Sequence, residues 1–211
     1  MIARALVLGV VLFAGPAVAQ PALRPVDEAS KHPAFAAFRD SLCAAIERHD
    51  VDAVLAAADS NIKLGFGGDD GIAVFEKQLR APDTGVWREL AGTLALGGTF
   101  EAERRFVAPY VFSLWPDSLD AFEHVAITGS GVRVRARPSL RGEVLGARSY
   151  AIVSLAPGRG RPAMRGWTAV LRPGGGTGYV ASRYVRSPVG YRAFFVPDGG
   201  SWKMTMFLAG D

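Results

Sequence analysis

Between Val132 and Arg137 the chain alternates strictly: Val132, Val134 and Ala136 fall on one side, Arg133, Arg135 and Arg137 on the other. A period of two belongs to an extended strand with one apolar and one polar face. The downstream segments repeat the theme in short apolar runs, Tyr150 to Leu155, Trp167 to Leu171 and Thr177 to Ala181, separated by Gly and Pro. None is long enough for a packed helix. Such a rhythm confines residues 129–187 to short antiparallel strands, and with so few residues it predicts a small all-β barrel. A last pair of runs, Tyr191 to Val196 and Trp202 to Leu208, flanks Pro197-Asp198-Gly199-Gly200-Ser201 and reads as a β-hairpin.

The first half has a different period. Phe35, Phe38, Leu42, Ala45 and Ile46 share one face of a helix over Ala34 to His49, with Arg39, Asp40, Glu47 and Arg48 away from it. Asp50 is placed to cap a second helix, Val51 to Ala58. Asn61 to Phe66 alternates as a strand, and Gly65 to Gly71 follows as a turn. Helices are expected over Ile72 to Leu79 and Thr84 to Leu94, then a strand from Phe106 to Leu114 and a lead toward the barrel over Phe122 to Thr128. Residues 20–33 carry three prolines and read as a tether or extended lead-in. The fold class is therefore α+β: an α+β domain over residues 34–128, a barrel over 129–187, and a hairpin over 188–211 whose apolar strands need the sheet of the first domain to bury them.

Residues Gly131 to Arg186 resemble a bacterial SH3 domain of the SH3b, or SH3-like, type. The resemblance rests on Val132-Arg133-Val134-Arg135-Ala136-Arg137-Pro138-Ser139, Val144-Leu145-Gly146, Gly166-Trp167-Thr168-Ala169-Val170 and Gly178-Tyr179-Val180-Ala181-Ser182-Arg183-Tyr184-Val185. Arg133 and Arg137 stand where that family usually has Asn and Gly. The resemblance implies a module that holds cell-wall peptide or docks a partner domain. The remainder faintly resembles the NTF2-like fold, through its helices and the closing run of Phe194, Phe195, Gly199, Trp202 and Phe207. That resemblance implies that the barrel is inserted before the final hairpin of the first domain.

The chain opens with Arg4, an uncharged run over Ala5 to Ala14, and Ala17-Val18-Ala19 before Gln20. These are the marks of a secretory signal peptide over residues 1–19, processed after Ala19. The expected location is the periplasm or the exterior. No later stretch is apolar and long enough to span a membrane. Cys43 is the single cysteine, so no intrachain disulfide is available. Charge divides the chain: residues 20–130 hold ten basic and seventeen acidic residues, whereas residues 131–192 hold twelve Arg and one acid, Glu143. A basic module behind an acidic one implies an anionic partner or docking of one half on the other.

Little in the chain carries catalysis. His32, His49 and His124 sit in no zinc-ligand frame, and neither a metal nor an organic cofactor is expected. Cys43 and His49 are six residues apart on one helix and diverge around its axis, which disfavours a Cys–His pair; a buried small hydrophobe is the plainer role for Cys43. Asp120, Glu123 and His124 read as an acid–base cluster or, more plainly, as a solvated turn. Gly65 to Gly71 lacks the Lys-Ser/Thr of a phosphate cradle and the ligand array of a calcium loop.

The candidate ligand-binding residues are Arg133, Arg135 and Arg137, able to grip carboxylates or phosphates, with Tyr150, Trp167, Tyr179 and Tyr184 lining a groove beside them. The competing reading has the aromatics filling the barrel while the Arg face solvent or the acidic half. Export makes nucleic acid a poor partner. The expected function is that of a non-catalytic exported cell-envelope binding or adaptor protein, its ligand an anionic cell-wall component or an envelope protein. The alternative is a periplasmic enzyme or small-ligand domain that the barrel targets, which a deep pocket with converging polar groups would favour.

Overall fold

The computed structural model describes residues 21–82, 84–101, 104–157 and 165–210. The predicted signal segment lies outside the described residues. No helix among the described residues is long and apolar enough to cross a membrane.

The first module packs four helices, α1 (Pro33–Glu47), α2 (Val51–Ala56), α3 (Ile72–Arg80) and α4 (Val86–Ala95), against a five-stranded sheet. Its strands are β1 (Ala58–Lys63), β2 (Thr99–Phe100), β3 (Phe106–Ala108), β11 (Arg192–Asp198) and β12 (Ser201–Leu208), in the order β1-β12-β11-β3-β2. The last hairpin thus occupies the middle of this sheet, and β12 pairs with β1 from far along the chain, Ala58 with Met204 and Lys63 with Met206; β1 runs parallel to β12 and the other pairs are antiparallel.

Local chemistry accounts for these elements. Pro33 opens α1, where its missing N–H costs nothing, and Asp50 accepts from the Ala53 N–H at 3.1 Å to cap α2. Gly199 and Gly200 turn the hairpin with φ of 54° and 89°, the two positive values a two-residue turn of this hand requires. One extra residue in β12, Thr205, sits between the pairs Phe194–Met206 and Phe195–Met204. This bulge shifts the alternation, so Trp202, Met204 and Phe207 all enter the same core. Phe35 stands at its centre with Phe100, Phe106, Phe195 and Trp202 around it, ring centroids 4.3–5.6 Å apart.

The expected strand over Phe106 to Leu114 is corrected. β3 ends at Ala108 because Pro109 has no N–H for the ladder, and Tyr110–Ser113 forms a short helix, α5. The strand expected from Asn61 starts earlier, at Ala58, directly after α2.

The second module holds two sheets around one apolar core. One is β6-β5-β9-β8, from β5 (Val132–Arg135), β6 (Val144–Arg148), β8 (Trp167–Leu171) and β9 (Thr177–Ala181). The other is β10-β4-β7, from β4 (His124–Ile127), β7 (Ile152–Ser154) and β10 (Val185–Arg186). A single bridge, Leu155 to Val170, links them, and no closed barrel is formed among the described residues. Val125, Ile127, Val132, Val134, Val153, Val170 and Val180 fill the space between. Gly178 lies against this core because a Cβ there would come 2.4 Å from Val134 Cγ1. β4 belongs to this module, which therefore begins earlier than residue 129.

The two modules share a seam. Leu23, Tyr110, Val111, Ala126 and Ile152 form a separate buried cluster, with Ala126 and Ile152 on the strand faces opposite the second module's core. The lead-in supplies part of it. Ala22 pairs with Ala151, the Leu23 N–H donates to the Tyr150 carbonyl at 2.7 Å, and the Ile152 N–H donates to the Pro21 carbonyl at 2.9 Å. The same segment then reaches the first module, where Asp27 receives Arg39 at 2.6 Å and Glu28 Oε2 accepts from the Phe100 N–H at 2.9 Å. Residues 21–28 are a strap along the seam, not a free tether. On its other side Arg186, from β10, donates to Glu89 at 3.3 Å, to Thr93 Oγ1 at 3.0 Å and to the Tyr191 carbonyl at 2.6 Å.

Candidate groove on the basic module

The site begins with β5. Between Val134 and Arg135 its pairing with β6 slips: Val134 faces Gly146 and Arg135 faces Val144, leaving Leu145 as an extra residue. Such a bulge adds twist and re-aims the side chains beside it. Arg135 stays on the strand face of Arg133, and both line one cavity, but the outward exposure expected for it is corrected. Arg133 is exposed, but Arg135 is buried at 8% exposure, and its Nη1 donates to the Gly142 carbonyl at 2.8 Å. Gly142 closes the loop over residues 137–142, in which the Ser139 N–H donates to the Arg137 carbonyl and the Gly142 N–H to the Ser139 carbonyl. Arg137 is exposed on that loop.

A cavity of about 360 Å³ opens where this strand meets the segment after β9. Its lining includes Arg133, Arg135, Trp167 and Tyr184 from the residues singled out above. Gly129, Ser130, Gly131, Val132, Leu140, Ala181 and Arg183 complete it. Three guanidinium groups thus meet two aromatic rings. Tyr184 is 37% exposed and Leu140 71%, and Arg183 lies over the Tyr184 ring at 4.8 Å, a contact that holds both in place. Trp167 is half-buried. Among the described residues Arg133, Arg135, Arg137 and Arg183 form no ion pair.

The other candidates lie elsewhere. Arg137 does not line the cavity. Tyr179 is buried with Ala156, Ala169 and Trp167 as part of a small core. Tyr150 sits at the seam, with φ of 53° and the Arg24 guanidinium 6.0 Å from its ring. Sequence reasoning missed Arg183 and Leu140 as lining residues. Arg183 stands in a 3-10 turn, Ser182–Tyr184, outside any strand alternation, and its sequence signal was only its place between the end of β9 and Tyr184.

The remaining chemistry-bearing residues take structural roles. Asp120 Oδ1 accepts from the N–H groups of Phe122 and Glu123, and its carbonyl meets His124 Nδ1 at 2.9 Å, making the acidic cluster a hydrogen-bonded turn. Asp70 Oδ1 accepts from the Leu64 and Gly65 N–H groups and organises the Gly-rich turn. His49 stacks on Trp87 at 4.7 Å. Burial pushes the Cys43 thiol up from its ordinary value, which holds it protonated. Among the described residues no group of His, Cys, Asp and Glu is placed to hold a metal ion. The first module's surface carries a second, more open cavity of about 400 Å³ lined by Asp69, Val74, Lys77, Gln78, Ala81 and Thr84, while its interior is occupied by the rings around Phe35.

Compared with protein-family models the chain matches none, and no curated protein matches it.

Proposed function

We propose that this chain is a non-catalytic exported cell-envelope binding or adaptor protein, and that its basic module, of SH3-like type, recognises an anionic ligand on wall peptide or on a partner protein. The observation that carries this reading is the groove itself, where Arg133, Arg135 and Arg183 converge with Trp167 and Tyr184 and meet no carboxylate among the described residues. Guanidinium groups recognise carboxylates through two parallel hydrogen bonds, and the neighbouring rings supply apolar contact. Docking of the acidic half is not what occupies these residues: the one ion pair across the seam among the described residues is Arg186 with Glu89. The interior of the first module is packed by Phe35, Phe106, Phe195 and Trp202. That filling favours the binding reading over a small-ligand or enzymatic one.

The test is co-sedimentation of the purified protein with isolated cell wall. Replacing both rim residues, Arg133→Gln and Arg183→Gln, is expected to weaken binding about tenfold, from roughly 0.7 kcal/mol per exposed charge. The remaining binding should depend less on salt, and the melting temperature should stay unchanged. Unaltered wall binding, or lost binding accompanied by lost stability, would contradict the proposal.

A further inference from the structure

Arg135 differs from the other groove cations because it is buried. A buried charge is ordinarily paired, since removal from water is costly without a counter-ion. Here the only partner is the neutral Gly142 carbonyl, and no carboxylate reaches Arg135 among the described residues. The fully buried side-chain polar atoms without a partner, among the described residues, are Tyr110 Oη, Ser113 Oγ and Arg186 Nε. The guanidinium nitrogens of Arg135 that Gly142 leaves over are therefore reachable from the groove they line.

Building on the binding role proposed above, we infer that the groove takes a single carboxylate carried on a small apolar group, as at the C-terminus of a short alanine-ended peptide, and that Arg135 is the residue that reads it. Three features select this chemistry. One buried guanidinium neutralises one negative charge, which suits a carboxylate better than a doubly charged phosphate. The guanidinium fork is planar, like the carboxylate it would meet. The lining that Arg135 shares includes the apolar or small residues Val132, Leu140, Trp167 and Ala181, and a cavity of about 360 Å³ admits one or two small residues rather than a polymer chain. Arg133 and Arg183 stand at the exposed rim, where they attract anions of any kind.

The experiment uses the full chain and two probes, N-acetyl-trialanine with a free carboxylate and the same peptide as its C-terminal amide, titrated by calorimetry. The free acid is expected to bind at least about tenfold tighter than the amide, because the amide leaves the buried charge unpaired. In Arg135→Lys, which keeps the charge and one donor for Gly142 but loses the fork, the ratio is expected to fall to about threefold or less. In Arg133→Gln both affinities fall a few-fold and the ratio stays. Equal binding of acid and amide by the wild-type chain overturns the inference without recourse to any variant, as does a tenfold ratio that survives in a folded Arg135→Lys. Tighter binding of inorganic phosphate than of the acid also overturns it and points to phosphate instead. If neither peptide binds while wall binding still depends on Arg133 and Arg183, the carboxylate assignment fails alone; if both fail, the groove is not the binding site.

Discussion

Tyr110 and Arg186 both carry polar atoms into the seam, and the surroundings treat them differently. Arg186 is 16% exposed at its side chain; burial lowers its pKa from the ordinary value while Glu89 acts in the opposite direction. Three acceptors, from Glu89, Thr93 and Tyr191, keep it charged in place. Tyr110 is fully buried and its hydroxyl meets no partner among the described residues; burial, helped by nearby Tyr150, pushes its pKa up to about 12. An unpaired buried hydroxyl is a cost. Tyr110→Phe is therefore expected to stabilise the protein by about 1 kcal/mol near neutral pH. The pH dependence has a definite sign. Above the ordinary value of 10.0 the unfolded chain releases this proton while the fold keeps it to about 12. Stability present below pH 10 is therefore lost as pH rises through the folded value, and the disadvantage of tyrosine against phenylalanine widens there. Urea midpoints at pH 8 and pH 11 check both points: the Phe variant should start higher and lose less. A lower midpoint at pH 8 would mean that the hydroxyl has a partner after all.

At the scale of elements, what could be read from the sequence followed from periodicity. α1, α3 and α4 show apolar residues at helical spacing, and β8, β9 and the closing hairpin are apolar runs with turn residues at their ends. What could not be read were the breaks in period. The Thr205 bulge re-phased β12 through one extra residue that no local pattern marks, and Arg135, on the strand face it shares with Arg133, is buried where its Nη1 meets the Gly142 carbonyl of the following loop. The strap was hidden for another reason. Pro21 and Pro25 suppress any alternation, and the strand-like pairing of Ala22 depends on Ala151, just before β7 and 129 positions away. Four lining residues were legible, Arg133 and Arg135 from strand alternation and Trp167 and Tyr184 as aromatic rings between Gly-bounded runs; Arg183, in the same 3-10 turn as Tyr184, had neither an alternation nor a ring to mark it. The strap has a testable energetic share. Leu23 is buried among Tyr110, Val111, Ala126 and Ile152, so Leu23→Ala is expected to cost about 2 kcal/mol. Native-state hydrogen exchange should show the loss in β7 and α5, the elements that Leu23 joins. Unchanged protection at Ile152 and Val111 would mean that the strap only lies on the seam.

For the whole molecule, the division of charge becomes intelligible through the seam. The acidic and basic halves meet through an apolar cluster, a strap and one ion pair, while Arg133, Arg137 and Arg183 stay exposed and without an ion pair among the described residues. The acidic module packs its interior with aromatic rings, and the basic module carries the groove on which the proposed binding role rests. Hydrogen exchange on the full chain, with and without solubilised cell-wall peptide fragments, tests this most directly. The account predicts added protection in residues 129–135 and 181–184, with the first module unaltered. Protection gained instead around residues 69–84, with the groove unaffected, would contradict it and place the ligand on the first module.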